Sequence, residues 1–332
     1  MAKILNIGSL NLDYVYAVPH FVAAGETLLA TRRDVFAGGK GLNQTVAAAR
    51  AGAEVFHGGA VGADGDMLLD LLKDAGADVS AVTRVDVPTG HAVIQVSPQG
   101  ENSIIILGGA NRAVSPETVE AALAKVDAGD ILLLQNEING LDAIIILGGA
   151  NRAVSPETVG IALEKVGPGD ILLLQNEING LDAIIRRAAE KGLRVLFNPA
   201  PMEAAVKELP LHLLDTLIVN EGEGKALAGD MDALKAAYPN QKILLTQGSR
   251  GASLWTGSEV LFQPAIPVEA VDTTAAGDCF LGYCAAALAE NLPYAAALRL
   301  AAAASALSVQ RQGAAPSIPL RGEVEDYLKG TY

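Results

Sequence analysis

Short apolar runs alternate along most of the chain with stretches in which apolar residues have a helical spacing. The runs typical of buried strands lie at 4–8, 53–60, 195–198, 216–219 and 242–246. Helical patterns lie between the first of them, over 41–51 and 66–75. Because crossover helices cover both faces of a parallel sheet, the alternation predicts a parallel sheet with helices on both sides.

The last third of the chain is rich in alanine and predicts two helices, over 277–290 and 294–309. Gly313 and Pro316 follow the second pattern, and these two residue types are typical of the end of a helix.

Two stretches, 14–37 and 91–109, have extended patterns without a helix between their strands. The second contains Ser97, Pro98, Gln99 and Gly100, which is a hairpin-turn composition. These stretches predict a small β-sheet beside the main one.

One segment of the chain is repeated. Residues 104–143 recur as 144–183, and the copies differ at only five of 40 positions. The period continues on neither side, whereas a solenoid needs at least three units. The repeat therefore predicts one tandem duplication inside an ordinary domain.

The flanking sequence predicts which copy serves which purpose. The strand 104–107 continues the preceding hairpin, so the small sheet should use the first copy. The strand 171–174 of the second copy leads into a helix over 179–191. A looped-out surplus would expose apolar runs, so we expect it to pack as an extra strand and helix at a sheet edge or on a partner subunit.

Charge and composition exclude several classes of protein. The net charge of −14 repels phosphate backbones, so no nucleic-acid role is expected. The uncharged apolar stretches fall short of the roughly 20 residues that span a bilayer, and the N-terminus has the pattern of a first strand and not of a signal peptide. We expect a cytoplasmic protein, with Cys279 and Cys284 as buried free thiols.

The segment 271–278, which directly precedes a predicted helix, has the composition of a phosphate site. Backbone N–H groups at a helix N-terminus bind anions, and small residues there allow a phosphate to approach. Asp278 at the same point supplies a base, and phosphoryl transfer needs both parts. The simpler interpretation is an aspartate that favours the positive end of a helix dipole.

Two other segments resemble phosphate loops but lack essential residues. The segment 220–226 ends in Gly-Lys-Ala. A Walker loop would need glycine at the preceding position, Val219, and a hydroxyl side chain at Ala226. The turn 8–12 lacks the three spaced glycines of a dinucleotide site. Asn220 and Glu223 still follow a predicted strand, at the edge where open α/β sheets bind ligands.

Five motifs occur in the order typical of one family: 38–44, 197–201, 220–223, 246–251 and 272–278. With them the chain resembles the ribokinase, or PfkB-type, carbohydrate kinases over all but one copy of the repeat. The resemblance implies a ribokinase-like three-layer α/β/α fold, with a mostly parallel central sheet and a small β-lid from about 12–37 and 91–109. It also implies a single kinase domain over 1–332, with the repeat 104–183 inside it.

The resemblance implies a role for each motif. Asp278 would be the base, with an anion hole of small residues at Ala275, Ala276 and Gly277. The sugar would be held by polar and glycine residues at Asn11, Asp13, Gly39, Lys40, Asn43 and Glu177. The nucleotide would lie against Asn220, Thr246, Gly248, Ser249 and Gly251. Glu223 would organise Mg²⁺ through water, and a K⁺-type monovalent cation would be bound by Asp272, Gly313 and Ser317.

The implied reaction is transfer of the ATP γ-phosphoryl group to a primary hydroxyl of a small sugar, with ribose as the first expectation. Another sugar or a nucleoside is the alternative acceptor. A second class also stays open, a sugar- or nucleotide-binding protein that lost catalysis through the duplication. Because an exposed strand edge invites pairing, and relatives dimerise through it, the lid implies a homodimer.

Several of these residues have simpler interpretations. Lys40 could be a solvated loop charge, Asp13 a turn former and Ser317 a turn residue beside a proline. Ala275 stands where many relatives have glycine, which is tolerable if its φ is negative. Residues 301–304 are all alanine, where some relatives place a polar side chain near adenine.

Overall fold

The structure is a computed structural model. It describes residues 2–99, 101–134, 168–175, 181–200, 202–257 and 259–330.

The described residues form a central sheet of ten strands in the order β14-β13-β12-β11-β10-β9-β8-β1-β4-β5. Their bounds are β1 Ile4–Ile7, β4 Val55–Val61, β5 Asp78–Arg84, β8 Ile131–Leu134, β9 Ile171–Gln175, β10 Arg194–Asn198, β11 Thr216–Asn220, β12 Lys242–Thr246, β13 Gly251–Thr256 and β14 Glu259–Pro264. The strands from β12 to β5 pair in parallel, and the last two, β13 and β14, add antiparallel strands at one edge.

Four further strands form a smaller sheet in the order β3-β2-β6-β7. They are β2 Asn11–Ala17, β3 Arg32–Gly38, β6 Gly90–Val96 and β7 Asn102–Leu107. The β2–β6 pair is parallel, and the outer pairs are antiparallel. The edge strand β7 leaves four apolar side chains, at 104–107, between 49% and 65% exposed.

Nine α-helices cover the central sheet in the described part of the chain: α1 Lys40–Arg50, α2 Asp66–Asp74, α3 Pro116–Leu123, α4 Leu181–Glu190, α5 Glu221–Ala228, α6 Met231–Ala237, α7 Ala276–Ala289, α8 Tyr294–Ser308 and α9 Arg321–Gly330. None of the described helices is long and apolar enough to cross a bilayer.

Alternate residues of the inner strands enter two separate hydrophobic cores. Leu133 and Leu173 pack in the core that contains α1, α7 and α8, whereas Leu132 and Leu172 pack in the core that contains α3 and α4. Successive side chains of a strand point to opposite faces, so a continuous apolar strand fills both cores. This is a three-layer α/β/α arrangement with a mostly parallel sheet, and it confirms the fold class expected from the sequence.

The strands of the two repeat copies lie side by side. Strands β8 and β9 have the same four residues and pair in parallel, with Ile131 opposite Ile171. On its other side β8 pairs with β1, and β9 pairs with β10. The expectation of a surplus strand at a sheet edge or on a partner subunit is therefore wrong. A strand that is buried on both faces and apolar throughout is best satisfied by a neighbour on each side.

Cys279 and Cys284 are buried free thiols on α7, as the sequence predicted. Burial raises the pKa of both thiols. They are held in the thiol form, which is not the nucleophilic one.

Candidate active site

A cavity of about 290 Å³ opens where the carboxyl ends of β9 to β12 meet the N-termini of three helices, α1, α5 and α7. Open α/β sheets bind ligands at this edge. Its lining is mostly polar or small: Lys40, Gln175, Asn198, Ala200, Ile218, Asn220, Glu223, Thr246, Thr273, Ala275, Ala276, Gly277, Asp278, Phe280 and Leu281. The cavity thus brings together residues from all five of the motifs singled out in the sequence.

The first turn of α7 forms one wall of the cavity. Ala275 precedes the helix with φ 59° and ψ 11°, and its carbonyl accepts the N–H of Cys279 at 2.8 Å. The negative φ that the sequence interpretation needed is therefore not present. A left-handed alanine costs about 1–2 kcal/mol because its Cβ crowds the backbone. This strained turn places the first amides of α7, which have no acceptors within the helix, at the cavity.

The carboxylate of Asp278 joins α7 to α1. Its Oδ2 accepts the Asn43 amide N–H at 3.1 Å, and its Oδ1 accepts the Gln44 amide N–H at 2.9 Å. Hydrogen bonds to an ionised carboxylate are stronger than neutral ones. The two donors therefore favour the charged form of Asp278, which is the form that a base requires.

The start of α1 lies against the end of β1 through two glycines. Gly39 has φ 95°, and a Cβ there would lie 2.8 Å from the Ser9 carbonyl oxygen. A Cβ on Gly41 would lie 2.5 Å from the Gly8 carbonyl carbon. Only glycine allows this approach, which explains the spacing of the motif and fixes Lys40 at the cavity.

The sugar-side residues expected on β2 lie outside the cavity lining. Asn11 is buried, and its Oδ1 accepts the Asn111 amide N–H at 2.7 Å. The carboxylate of Asp13 lies over Gly38, in the space that a Cβ on residue 38 would occupy. Glu177 is outside the described residues.

Asn220 and Glu223 cap α5 as well as lining the cavity. The Asn220 side chain accepts the Glu223 N–H at 2.8 Å, and the Glu223 carboxylate accepts the Asn220 N–H at 2.8 Å. This reciprocal pair is a capping box. Burial raises the pKa of Glu223, and hydrogen bonds from Asn220 and Asn198 oppose the shift.

The remaining nucleotide-side residues form the turn after β12. Thr246 lines the cavity, whereas Gly248, Ser249 and Gly251 follow it outside the lining. Gly251 has φ 114°, and its backbone approaches Gln263 too closely for a Cβ. Arg250 in this turn forms an ion pair with Glu221 at the start of α5, so the two loops are tied together.

Two loops meet behind the first turn of α7. Asp272 accepts the N–H groups of Thr274 at 2.9 Å and Gly313 at 3.0 Å. Burial would raise the pKa of Asp272, but these hydrogen bonds outweigh it, and the net pKa is lowered. The Ser317 hydroxyl donates to the Ala314 carbonyl at 2.7 Å and lies 2.8 Å from the Ser308 hydroxyl. Asp272 and Gly313 are thus in direct contact, and Ser317 lies in the same second loop.

A chain of side-chain amides, which sequence reasoning missed, connects Asp278 to Glu223. Gln44 donates to Gln175 Oε1 at 3.0 Å, and Gln175 donates to Asn198 Oδ1 at 3.2 Å. Asn198 then donates to Glu223 Oε2 at 3.4 Å. The available signal was a polar residue at the end of each apolar strand, where α/β sheets bind ligands.

Within the described residues no group of three or more histidine, cysteine or acidic side chains could hold a metal ion. Mg²⁺ in a nucleotide site takes one or two carboxylates and otherwise water and phosphate, and Glu223 in the cavity lining is one such carboxylate. The bonds made to Glu223 all use Oε2, so Oε1 accepts no hydrogen bond from the described residues.

The chain matches the pfkB family carbohydrate kinase model over residues 1–321. It is 34% identical to the ribokinase of Bacillus subtilis, covering 99% of this chain and 100% of the relative. It is 32% identical to the ribokinase of Haemophilus influenzae, covering 99% of each. A structure of Arabidopsis thaliana ribokinase complexed with ribose and ATP superposes with a TM-score of 0.74 at 30% identity, covering 99% of both chains.

The α/β/α fold, the strand-end cavity and the helix N-terminus beside a carboxylate are those of a phosphotransferase. The chain belongs to the pfkB family of carbohydrate kinases. It is an enzyme that transfers a phosphoryl group to an alcohol acceptor, as the sequence resemblance implied.

Proposed function

We propose that this enzyme transfers the γ-phosphoryl group of ATP to the primary hydroxyl of ribose. The observation that carries the proposal is Asp278, whose carboxylate lies at the start of α7 inside the cavity and accepts two amide N–H groups. The named relatives support ribose as the acceptor and ATP as the donor.

In the proposed reaction Asp278 accepts the proton of the attacking hydroxyl. The oxygen then bonds to the γ-phosphorus, and the bond from that phosphorus to the bridging oxygen of ADP breaks. Because phosphoryl transfer asks little covalent chemistry of the protein, positioning and charge stabilisation supply most of the catalysis. An ionised base held by two donors is already oriented for this step.

Ala275, Ala276, Gly277 and the Asp278 N–H form the anion hole in this proposal. The first turn of a helix carries partial positive charge, which stabilises the equatorial oxygens of the phosphoryl group. Open space at the Cβ position of Gly277 lets those oxygens approach the backbone.

The sugar site is assigned to Asn11, Asp13, Gly39, Lys40, Asn43 and Glu177. A polyol needs donors and acceptors that converge on neighbouring hydroxyls. Asn43 supports the assignment, because its Oδ1 is buried and makes no hydrogen bond to any described residue. A sugar hydroxyl would satisfy this acceptor, whose orphaned state is otherwise costly.

The nucleotide is assigned to the loops around Asn220 and Thr246 and the turn at Gly248, Ser249 and Gly251. Glu223 would hold Mg²⁺ through water with Oε1, and the ion would neutralise charge on the phosphates. Asn220 fixes Glu223 by the capping box, so the protein's own part is to present one carboxylate oxygen.

A K⁺-type cation is assigned to the two loops behind α7. The donor set fits, since Asp272 supplies a carboxylate, Ser317 a hydroxyl and the loop at Gly313 backbone carbonyls. Such a cation would brace the loop that leads into Ala275. Its effect on the reaction would come through the shape of the anion hole.

The larger assembly is also proposed. We assign residues 1–332 to one kinase domain, with the small sheet as a lid and the repeat 104–183 as a tandem duplication. A homodimer through the lid would cover the exposed apolar side chains of β7. We place the enzyme in the cytoplasm.

The test is a coupled assay of ADP release with Mg·ATP and a panel of sugars and nucleosides. Ribose should give the highest kcat/KM. If another acceptor gave a higher kcat/KM, the enzyme would be a carbohydrate kinase for that acceptor and not for ribose. Stabilisation by ribose and ATP in thermal melts without turnover would instead support a binding protein that has lost catalysis.

A further inference from the structure

We propose that each copy of the repeat supplies one positioning residue to the active site: Asn111 of the first copy orients Asn11, and Gln175 of the second copy connects Gln44 to Asn198. The inference rests on the proposed function. It assigns the two copies to different halves of the site, the first to the sugar side and the second to the base and phosphate side.

Asn111 is clamped by three hydrogen bonds. Its Oδ1 accepts the Leu10 N–H at 3.0 Å, and its Nδ2 donates to the Leu10 carbonyl at 3.3 Å and to Asn11 Oδ1 at 2.7 Å. It is only 1% exposed. Because both bonds to Leu10 fix which end of the Asn111 amide is the donor, the orientation of this side chain is not adjustable.

The fixed donor of Asn111 determines the polarity of Asn11. With Oδ1 of Asn11 taken by Asn111, the amide nitrogen is the group that Asn11 presents on its other side. Asn111 therefore fixes which end of the Asn11 amide is the donor. A sugar hydroxyl would meet a donor there and would bind less well if the amide turned over.

Gln175 is fixed in the same manner on the other side of the site. It is 2% exposed, accepts from Gln44 at 3.0 Å and donates to Asn198 at 3.2 Å. Gln44, which is 1% exposed, uses its Nε2 for Gln175 Oε1 and Asp278 Oδ1. The two hydrogens of one amide nitrogen are thus divided between the second copy of the repeat and the base.

These hydrogen bonds run outward from Gln44 in both directions. Donors point away from Gln44 toward Asp278 on one side, and through Gln175 and Asn198 toward Glu223 on the other. A carboxylate is only an acceptor, so the order of donors is consistent with a charge at both ends. Without Gln175, Gln44 loses one of the two acceptors of its Nε2 and is held on that side by Asp278 alone.

The repeat itself supplies matched controls. Gln135 stands in the first copy where Gln175 stands in the second, and residues 129–143 and 169–183 are identical. Asn151 stands in the second copy where Asn111 stands in the first, and residues 108–119 and 148–159 are identical. The same substitution in the same local sequence can therefore be compared at two places in one chain.

The first experiment compares Gln175→Leu with Gln135→Leu in steady-state kinetics with ribose and Mg·ATP. Gln175→Leu should lower kcat about tenfold and change the ribose KM by less than about twofold, because misplacing the base costs rate more than affinity. Gln135→Leu should stay near the wild-type kcat. The reverse pattern, equal effects or no effect of Gln175→Leu would overturn the assignment.

A positioning role also predicts non-additivity, which general loss of structure would not produce. If Gln175 acts through Gln44, the Gln44→Leu/Gln175→Leu double variant should have about the kcat of Gln44→Leu alone. Multiplied effects would mean that Gln175 acts independently of Gln44, contrary to the proposal.

The second experiment compares Asn111→Asp with Asn151→Asp. The aspartate keeps an acceptor for Leu10 N–H but sets an oxygen against Asn11 Oδ1, so the Asn11 amide should turn over. Asn111→Asp should raise the ribose KM about tenfold with little change in kcat, and Asn151→Asp should not. Should Asn111→Asp fail to fold, Asn11→Asp leaves Asn111 intact and should give the same KM increase; an unchanged KM would contradict the role.

The contact can be tested without turnover, which separates this inference from the proposed function. In urea unfolding, the Gln44→Leu/Gln175→Leu cycle should show coupling of at least about threefold in the unfolding constant. If the wild type shows no transfer to any acceptor but the coupling is present, the proposed function fails and the Gln175 contact stands. Additive effects on unfolding would overturn the contact whether or not the enzyme is active.

Discussion

Asp278→Asn separates catalysis from folding at the start of α7. The substitution keeps the shape of the side chain and removes its charge and its capacity to accept a proton. Gln44 can continue to donate to the remaining oxygen. Asn43 can turn its amide over, since its buried Oδ1 makes no other hydrogen bond within the described residues.

The two expected effects differ in size. Removing a general base lowers kcat by about 10²-fold to 10⁴-fold, which is about 3–5 kcal/mol of transition-state free energy. Both hydrogen bonds survive in neutral form, and the favourable interaction with the helix dipole is lost. For a half-buried group the unfolding free energy should fall by only about 1 kcal/mol.

The assay is ADP release with ribose, together with urea unfolding of the same preparations. The matched control is Asp66→Asn, which removes an acid from the first turn of α2, away from the cavity. It should affect stability only. Near-wild-type turnover by Asp278→Asn would refute the assignment of the base. If the two variants changed kcat and the unfolding free energy equally, Asp278 would be only an acid that stabilises the positive end of a helix dipole.

Four further outcomes follow from the site and the fold. Activity should require Mg²⁺ and be higher in K⁺ than in Na⁺ at equal ionic strength; equal rates in the two salts would remove the cation site. Ala275→Gly should raise the unfolding free energy by about 1 kcal/mol, because glycine relieves the left-handed strain by more than its added freedom in the unfolded chain costs; urea unfolding that shows no gain would contradict the strain. Deleting residues 112–151 should keep fold and activity. Glu177→Ala should raise the ribose KM while Glu137→Ala does little; the opposite result would mean that the first copy of the repeat, and not the second, supplies the glutamate that binds the sugar. Burial lowers the pKa of His57 to about 4 from its ordinary 6.5, so its contribution to stability is complete above pH 6.5 and is lost as the pH falls toward 4. Unfolding free energy should drop by about 2 kcal/mol between pH 7 and pH 5 from this group, and His57→Gln should lose that part of the pH dependence.

The helices and strands could be predicted closely because each is encoded over a few consecutive residues. The helical spacing at 41–51 corresponds to α1, and the apolar run at 216–219 lies within β11. Alternation of such elements restricts the fold to a helix-covered parallel sheet. The motif at 272–278 also marked the cavity wall, since its composition is that of a helix start that can bind an anion.

The repeat shows where this reasoning stops. Two identical strands have identical preferences, so no local rule decides whether both enter the sheet. In the structure they lie next to each other in its interior, between β1 and β10. That choice depends on the neighbours available on each side, which are distant in sequence.

The sequence by itself determined the order of elements, the family and the residues carried by its motifs. Only the tertiary structure decided the left-handed turn at Ala275 and the partners of Asn11 and Asp278. Asn111 contacts Leu10 across 101 positions of sequence, Gln44 contacts Gln175 across 131, and Gln44 contacts Asp278 across 234. Spacing patterns report the period of one element, whereas a hydrogen bond between elements depends on how their ends pack together in space.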